Sequence, residues 1–321
     1  EILASDPGAG RALAARLESA RDIGAPPELG RLEPAAGADA AYRAGFARVA
    51  EYLAAGDCYQ VNLARRLLAP LEVPGDPLAL FATLCEVKPE PFAALIETGT
   101  HAVLSGSPER FLHRQRLGGR LETRPIKGTR ARLGDDVRDR AARAALVSSD
   151  KERAEHLMIV DLERNDLGRI AETGSVRVDA FAEVAVLPTL FHMVSTVSCQ
   201  PLPGLAASDI LRATFPGGSI TGAPKRRAME IISELEPVPR GVYTGAIGVL
   251  DATGGIDLSI AIRTAVLCDN SLSLHVGGGI VADSQLDREL AETDEKAAGW
   301  RAVLESMSLG KTAARATVGK G

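Results

Sequence analysis

Two stretches of this chain carry the same acidic spacing, and that spacing limits how the chain can fold. Residues 151–161 have helical patterning and place Glu152 and Glu155 three residues apart; residues 286–307 do the same with Glu289 and Glu292. Side chains at i and i+3 project from one side of a helix. Each stretch therefore presents a paired carboxylate face. Two such faces can stay apart in water, where charged helical arrangements commonly sit. If instead they converge, four negative charges meet and a cation is required. All-oxygen donors suit Mg²⁺, which retains waters and needs few protein ligands. Lys296, at i+4 from Glu292, would set a cationic head beside such a site. Spacing alone leaves both arrangements open.

Composition narrows the partners. The 37 Lys and Arg against 42 Asp and Glu give a net charge of −5, which disfavours non-specific nucleic-acid binding. Local donors can still hold a small anion. Hydrophobic residues make up 45% of the 321 positions, enough for a sizeable core. Cys58, Cys85, Cys199 and Cys268 are far apart and form no CxxC pair. That disfavours a closed zinc site or a disulfide framework and suits a reducing, cytoplasmic setting. No apolar run approaches the roughly 18 residues of a membrane span, and no secretory leader pattern is present.

Periodicity predicts a short helix over 10–20, a Pro26–Pro27 loop, and a helix over 40–55 with Asp39 as N-cap and Gly56 as terminator. Alternation over 59–63 predicts a strand with Gln60 and Asn62 on one face. Further helices are expected at 77–85, within 130–149, and at 151–161, 205–214, 225–236 and 286–307. Strands are expected at 92–97, 102–105, 176–187, 191–197, 241–250, 255–267 and 271–276, with a basic loop over 113–124. Mixed strands and helices without a short repeat imply an α+β or layered α/β architecture. The expected organisation is an ill-defined segment 1–38, one catalytic domain 39–309 and a flexible tail 310–321.

Several other residues suit either chemistry or plain structure, and on local pattern the plain reading is the commoner one for all but Arg263, where the two are even. Lys127, flanked by small residues in Pro125–Thr129, fits a desolvated nucleophile or a loop lysine. Glu109 fits a buried general acid or an arginine partner. His192 fits a core histidine or a functional one. Arg263 falls in an apolar predicted strand, where it needs an anion. Tyr243 could share that anion or simply fill a sheet. The segment Pro216–Lys225 and the run Gly277–Gly279 allow close backbone approach. Neither matches a P-loop or a dinucleotide fingerprint.

Taken in order, the segments Gly56–Leu63, Ser107–Phe111, Pro125–Thr129, Ala154–Leu162, Pro216–Glu230, Ile262–Thr264, Gly277–Ser284 and Glu289–Lys296 resemble the chorismate-utilising enzymes from about residue 42 to 304. The resemblance implies an α+β fold, a layered α/β/β/α sandwich. It implies Mg²⁺ held directly by Glu155 and Glu292, with Glu152 and Glu289 assisting through water. It implies that Tyr243, Arg263 and backbone groups near Gly128, Thr129, Gly277 and Gly279 bind chorismate, with Lys296 beside the ring carboxylate. Glu109 matches the family's general acid, and His192 a histidine near the enolpyruvyl side.

Lys127 matches the branch that forms 4-amino-4-deoxychorismate from chorismate and ammonia through a covalent lysine adduct, with a glutamine amidotransferase as partner. Anthranilate-forming members usually have alanine there, and the water-adding members carry lysine where this chain has Gln60. The chain has only about 40 residues ahead of the helix at 42–55, fewer than family members normally have. The rival expectations are an anthranilate-forming enzyme and a subunit that binds chorismate without turnover.

Overall fold

The structure, a computed structural model, describes residues 23–187 and 190–318, and the side chains of all of these except 151 and 310–318. The helix expected at 10–20 lies outside the described residues. The helices are α1 (Ala38–Ala55), α2 (Pro77–Val87), α3 (Asp136–Val147), α4 (Asp150–Gly168), α5 (Ala207–Thr214), α6 (Lys225–Leu235) and α7 (Leu286–Val318). The strands are β1 (Glu28–Leu29), β2 (Glu33–Pro34), β3 (Gln60–Val73), β4 (Phe92–Glu97), β5 (His101–Ser107), β6 (Arg110–Arg114), β7 (Leu121–Arg124), β8 (Ile126–Ala131), β9 (Arg177–Val186), β10 (Leu190–Cys199), β11 (Gly222–Ala223), β12 (Ala246–Leu250), β13 (Ile256–Ile260), β14 (Thr264–Cys268) and β15 (Ser271–Ile280).

These strands form two antiparallel sheets. The first runs β1-β3-β15-β14-β5-β4, with β2 and β11 also on β3; the second runs β12-β13-β6-β7-β10-β8, with β9 on β10. Helices α1, α2, α6 and α7 pack on the first sheet and α3 and α4 on the second, with α5 against α4. Each sheet therefore buries its apolar face under its own helices. Leu80, Leu104, Leu274 and Trp300 form one core under α2 and α7. Val61, Leu63, Tyr42 and Ile231 form another under α1 and α6. Phe111, Leu121, Val160 and Ile210 fill the core of the second sheet. This is the expected α+β fold, layered as helices, sheet, sheet, helices.

Several boundaries differ from the sequence reading, each for a physical reason. Asp39 does not cap α1: Gly37, with a positive φ of 76°, takes that position, and Asp39 is drawn away to pair with the buried Arg65. The basic stretch 113–124 is the β6–β7 hairpin, because Phe111, Leu112 and Leu121 are buried beside its charges. The single strand expected over 255–267 is two strands in different sheets. Arg263, at φ 52°, lies in the connection between them. Strand β15 runs through the glycines instead of stopping before them. Helix α7 continues to Val318, past the expected end at Met307.

Two short crossings join the sheets side by side. Pro108–Glu109 links β5 to β6, and Ala261–Arg263 links β13 to β14. They are stitched together: Ser107 Oγ donates to Ile260 O at 2.6 Å, Gly106 N to Arg263 O at 3.2 Å and Ile260 N to Glu109 O at 3.0 Å.

Candidate active site

A cavity of about 880 Å³ opens beside this seam, within the usual size for small-molecule sites. Every candidate site residue named from the sequence lines it: Lys127, Glu109 and His192; Gly128, Thr129, Tyr243, Arg263, Gly277, Gly279 and Lys296; and the carboxylates Glu152, Glu155, Glu289 and Glu292. The two acidic helical faces thus turn toward one space.

The seam delivers Glu109 and Arg263. Glu109 is 5% exposed. Burial pushes its carboxyl up to about 7, against the pull of the Ser219 hydroxyl, the Ile126 N–H and the cations Lys127 and Arg263. Ser219 Oγ donates to Glu109 Oε1 at 2.7 Å. The backbone carbonyl of Arg263 is held by Trp300 Nε1 at 2.9 Å. Its guanidinium makes no hydrogen bond or ion pair among the described residues, although Tyr243, Glu90, Glu109 and Glu292 all bear on it electrostatically. Unspent planar donors at a cavity wall fit a carboxylate.

A bulge arranges Lys127, Thr129 and His192. In the β8–β10 ladder Thr129 faces His192 and Lys127 faces Met193, with the register slipping between them. Gly128 is the extra residue, at φ 74°, where a Cβ would also meet Leu146 Cδ1 at 2.7 Å. Met193 turns into an apolar cluster with Leu146 and Phe191, yet both Lys127 and Thr129 reach the cavity. Thr129 Oγ1 lies 2.8 Å from His192 Nδ1. Burial, followed by the charge of Arg263, holds the His192 imidazole below its ordinary value, so the ring is neutral at pH 7.

The four carboxylates come from the helices α4 and α7. Ser149 caps α4 by accepting from Glu152 N, which fixes the first acidic turn at the cavity wall. Glu155 Oε2 lies 3.4 Å from Lys127 Nζ. Glu152 receives a two-pronged contact from Arg130, at 2.8 and 3.1 Å. On α7, Glu289 accepts from Ser284 Oγ at 2.7 Å and Glu292 pairs with Lys296 at 2.6 Å. Burial alone would raise Glu292, but Lys296, with Lys127 and Arg263, brings it below the ordinary carboxylate range.

No group of three His, Cys, Asp or Glu side chains among the described residues forms a metal cage by itself. The donor set is all carboxylate oxygen, contributed from two helices around an open cavity. That suits an ion such as Mg²⁺, which takes one or two protein carboxylates and completes its shell with water and ligand.

Strand β15 supplies the remaining wall. It pairs with β14 only over residues 271–274, and from His275 to Ile280 it is paired with β3 alone. Its other edge is therefore open along the glycines. Any side chain there would close the space: a Cβ on Gly278 would lie 3.2 Å from Glu289 Oε2, and one on Gly279 2.8 Å from Gln60 Cδ. Lys296 Nζ donates to Gly277 O at 2.6 Å. Tyr243 lies in the turn ahead of β12, not in a strand, and stacks on His275 with ring centroids 5.6 Å apart.

The loop 216–224 meets the cavity through Ser219 and Ile220, whereas Pro224 and Lys225 do not line it. The N-terminus of α6 therefore does not face the site. Lys225 instead locks the loop from behind, donating to Asp166, to Thr214 O at 3.0 Å and to Pro216 O at 2.6 Å. Sequence reasoning missed Ser219, Arg130 and His275. Ser219 was visible as the polar residue among the small ones of that loop. Arg130 and His275 carried no local signal, because cross-strand and helix–strand neighbours place them.

Comparison with known proteins gives these residues a context. A family model described as chorismate binding enzyme matches residues 12–301. Aminodeoxychorismate synthase component 1 of Klebsiella aerogenes is 50% identical over 255 residues, covering 79% of this chain and 56% of that protein. Anthranilate synthase component 1 of Pseudomonas putida is 45% identical over 264 residues, covering 82% and 52%. The crystal structure of anthranilate synthase component I from Streptococcus pneumoniae TIGR4 superposes with a TM-score of 0.77 at 35% identity, over 90% of this chain and 64% of that one. The chain spans about half the length of the curated relatives it matches.

Proposed function

The chain belongs to the chorismate-binding enzymes, and from that premise we propose that it is the catalytic part of an aminodeoxychorismate synthase component 1, converting chorismate and ammonia to 4-amino-4-deoxychorismate and water. The observation that carries this reading is that the Lys127 amine and the buried, protonatable Glu109 carboxyl share the same cavity. The 50% identity to a component 1 of that activity supports it.

In the proposed reaction the nitrogen lone pair of the Lys127 amine attacks C2 of chorismate. The ring double bond shifts, the C4–O bond breaks, and the oxygen takes the Glu109 proton and leaves as water. Ammonia then adds at C4, the double bond shifts back and the C2–N bond to Lys127 breaks. The ammonium formed at C4 returns a proton to Glu109, so the protein ends as it began. An acid whose pKa lies near the working pH is suited to both transfers.

Binding follows from the unspent donors. Arg263 and Tyr243 take the enolpyruvyl carboxylate, and the backbone near Gly128, Thr129, Gly277 and Gly279 completes the anion contacts. Lys296 lies beside the ring carboxylate. Thr129 is steadied by His192, whose neutral ring adds no charge near the enolpyruvyl side. Mg²⁺ held by Glu155 and Glu292, with Glu152 and Glu289 acting through water, would orient the ring carboxylate and lend Lewis-acid help to loss of the C4 oxygen.

The relatives are component 1 of a multi-component enzyme, so a second component is implied. Its proposed identity is a glutamine amidotransferase supplying ammonia, in the cytoplasm. Among the described residues no helix is long and apolar enough to cross a membrane.

A second reading, anthranilate synthesis with loss of pyruvate, is favoured by the similarity to anthranilate synthase components, and Lys127 argues against it. Incubation with chorismate, Mg²⁺ and an ammonium salt, followed by mass spectrometry, separates the two. The expected product is aminodeoxychorismate without pyruvate. Anthranilate with stoichiometric pyruvate would overturn the proposal, as would saturable chorismate binding without turnover.

A further inference from the structure

Behind the cavity wall, outside the residues that line it, α4 buries two further acids, Glu163 and Asp166, each 3% exposed. Asp166 is accounted for by Lys225. Glu163 makes no ion pair among the described residues. Its Oε1 accepts the Gly218 N–H at 2.9 Å. Gly218 opens the 3-10 turn Gly218–Ile220, and the next residue, Ser219, presents the hydroxyl that donates to Glu109. The loop is pinned at three points around this hydroxyl. Lys225 holds Pro216 O, Glu163 holds Gly218 N, and Asn62 Nδ2 and Arg240 Nη1 hold Ile220 O at 2.9 and 3.0 Å. A buried acid without an ion pair is a costly way to hold one amide if packing were its only role.

We propose that Glu163 is a positioning residue for the general acid: through the Gly218 N–H it holds the turn that sets the Ser219 hydroxyl on Glu109. This rests on the reading of Glu109 as the acid. Burial lifts Glu163 to about 7; Asp166 and Glu109 add to the rise, while Lys225 and the Gly218 N–H oppose it. The groups facing Glu109 are Ser219 from the loop, Ile126 N–H and Lys127 from β8, and Arg263 from the seam. Those facing Glu163 are Asp166 on its own helix, Lys225 from α6, Gly218 from the loop, and Glu109. Glu163 therefore acts on Glu109 through the loop, by holding in place the Ser219 hydroxyl that favours the ionised form of Glu109.

Two variants of Glu163 are expected to differ. Glu163→Ala leaves the Gly218 N–H without its acceptor and loosens the Ser219 hydroxyl, so Glu109 ionises less easily and the alkaline limb of kcat/KM moves up by about 0.5–1 in pH, with KM for chorismate within about twofold of the parent. Ser219→Ala removes the same donor directly and moves the limb the same way. Glu163→Gln keeps an oxygen for the Gly218 N–H and should keep the parent's limb. A second readout needs no activity: carboxyl chemical-shift titration of ¹³C-glutamate-labelled protein. The Glu109 resonance should titrate at higher pH in Glu163→Ala and in Ser219→Ala, and as in the parent in Glu163→Gln. A Glu109 titration unmoved in Glu163→Ala, or moved as far in Glu163→Gln as in Glu163→Ala, overturns the proposal. If Glu109→Gln itself retains full activity, the reading of Glu109 as the acid fails instead; the positioning of Ser219 is judged by the titration alone.

Discussion

Lys127 Nζ lies 3.4 Å from Glu155 Oε2, so the proposed nucleophile is paired with a proposed metal carboxylate. A cation drawn to Glu155 would compete with the lysine for that oxygen and release the amine for reaction. Amine-selective labelling of Lys127, read by peptide mass spectrometry, is expected to rise several-fold on adding Mg²⁺. Labelling that is the same with and without Mg²⁺ would argue that the ion does not bind at Glu155.

The acid role of Glu109 has a pH signature whose sign is fixed. Its folded value of about 7 lies above the ordinary 4.5, and the protonated form is the active one. The limb of kcat/KM governed by Glu109 should be flat below about pH 7 and fall about tenfold per pH unit above it. Glu109→Gln should lose at least about a hundredfold in kcat while still binding chorismate. The native state holds this proton more tightly than the unfolded chain, so the group's contribution to stability declines as pH rises from 4.5 through about 7.

Arg263 offers a planar fork with no hydrogen-bond or ion-pair partner among the described residues. Arg263→Lys keeps the charge but loses the fork. KM for chorismate should rise about 10- to 100-fold, from the loss of about 1.5–3 kcal/mol of charge-assisted hydrogen bonding. Thermal unfolding should change little, because the charge that faces Glu90, Glu109 and Glu292 is kept and the guanidinium makes no hydrogen bond or ion pair among the described residues. A large drop in Tm with unchanged KM would mark the residue as structural.

Gly128 should tolerate no side chain. At φ 74°, with Leu146 Cδ1 2.7 Å from where a methyl group would sit, Gly128→Ala combines left-handed strain with overpacking, and the expected cost is about 1–3 kcal/mol. Since the bulge aims Lys127 and Thr129, kcat should fall together with stability. Urea unfolding alongside kinetics checks both.

The residues that line the cavity were more legible in the sequence than the element boundaries that carry them. These residues sit in short segments with their own chemical character, such as Pro125–Thr129 and the two acidic helical pairs, and these turned up together around one cavity. Spacing could show that Glu152 and Glu155 share a helical face; it could not show that this face lines the same cavity as that of Glu289 and Glu292, which is decided by packing across two sheets. Element boundaries failed where tertiary demands overrode local pattern. Asp39 reads as a cap, but the buried Arg65 claims it. The apolar run through Ile260 and Ala265 reads as one strand, but the chain changes sheets at Arg263. Glu163 lies beyond the expected helix end at 161, and only the structure shows it in the helix and buried against the loop behind Glu109.

Covalent chemistry at Lys127 underlies the whole proposed reaction, and intact-protein mass spectrometry reads it without intermediaries. The protein is mixed with chorismate and Mg²⁺ without ammonia, quenched in acid, and compared with Lys127→Ala. A species heavier by chorismate less one water is expected on the parent protein, mapped to Lys127, absent from the variant and discharged by ammonium. An adduct of the same mass on Lys127→Ala, or aminodeoxychorismate formed by that variant at the parent's rate, would contradict the lysine route.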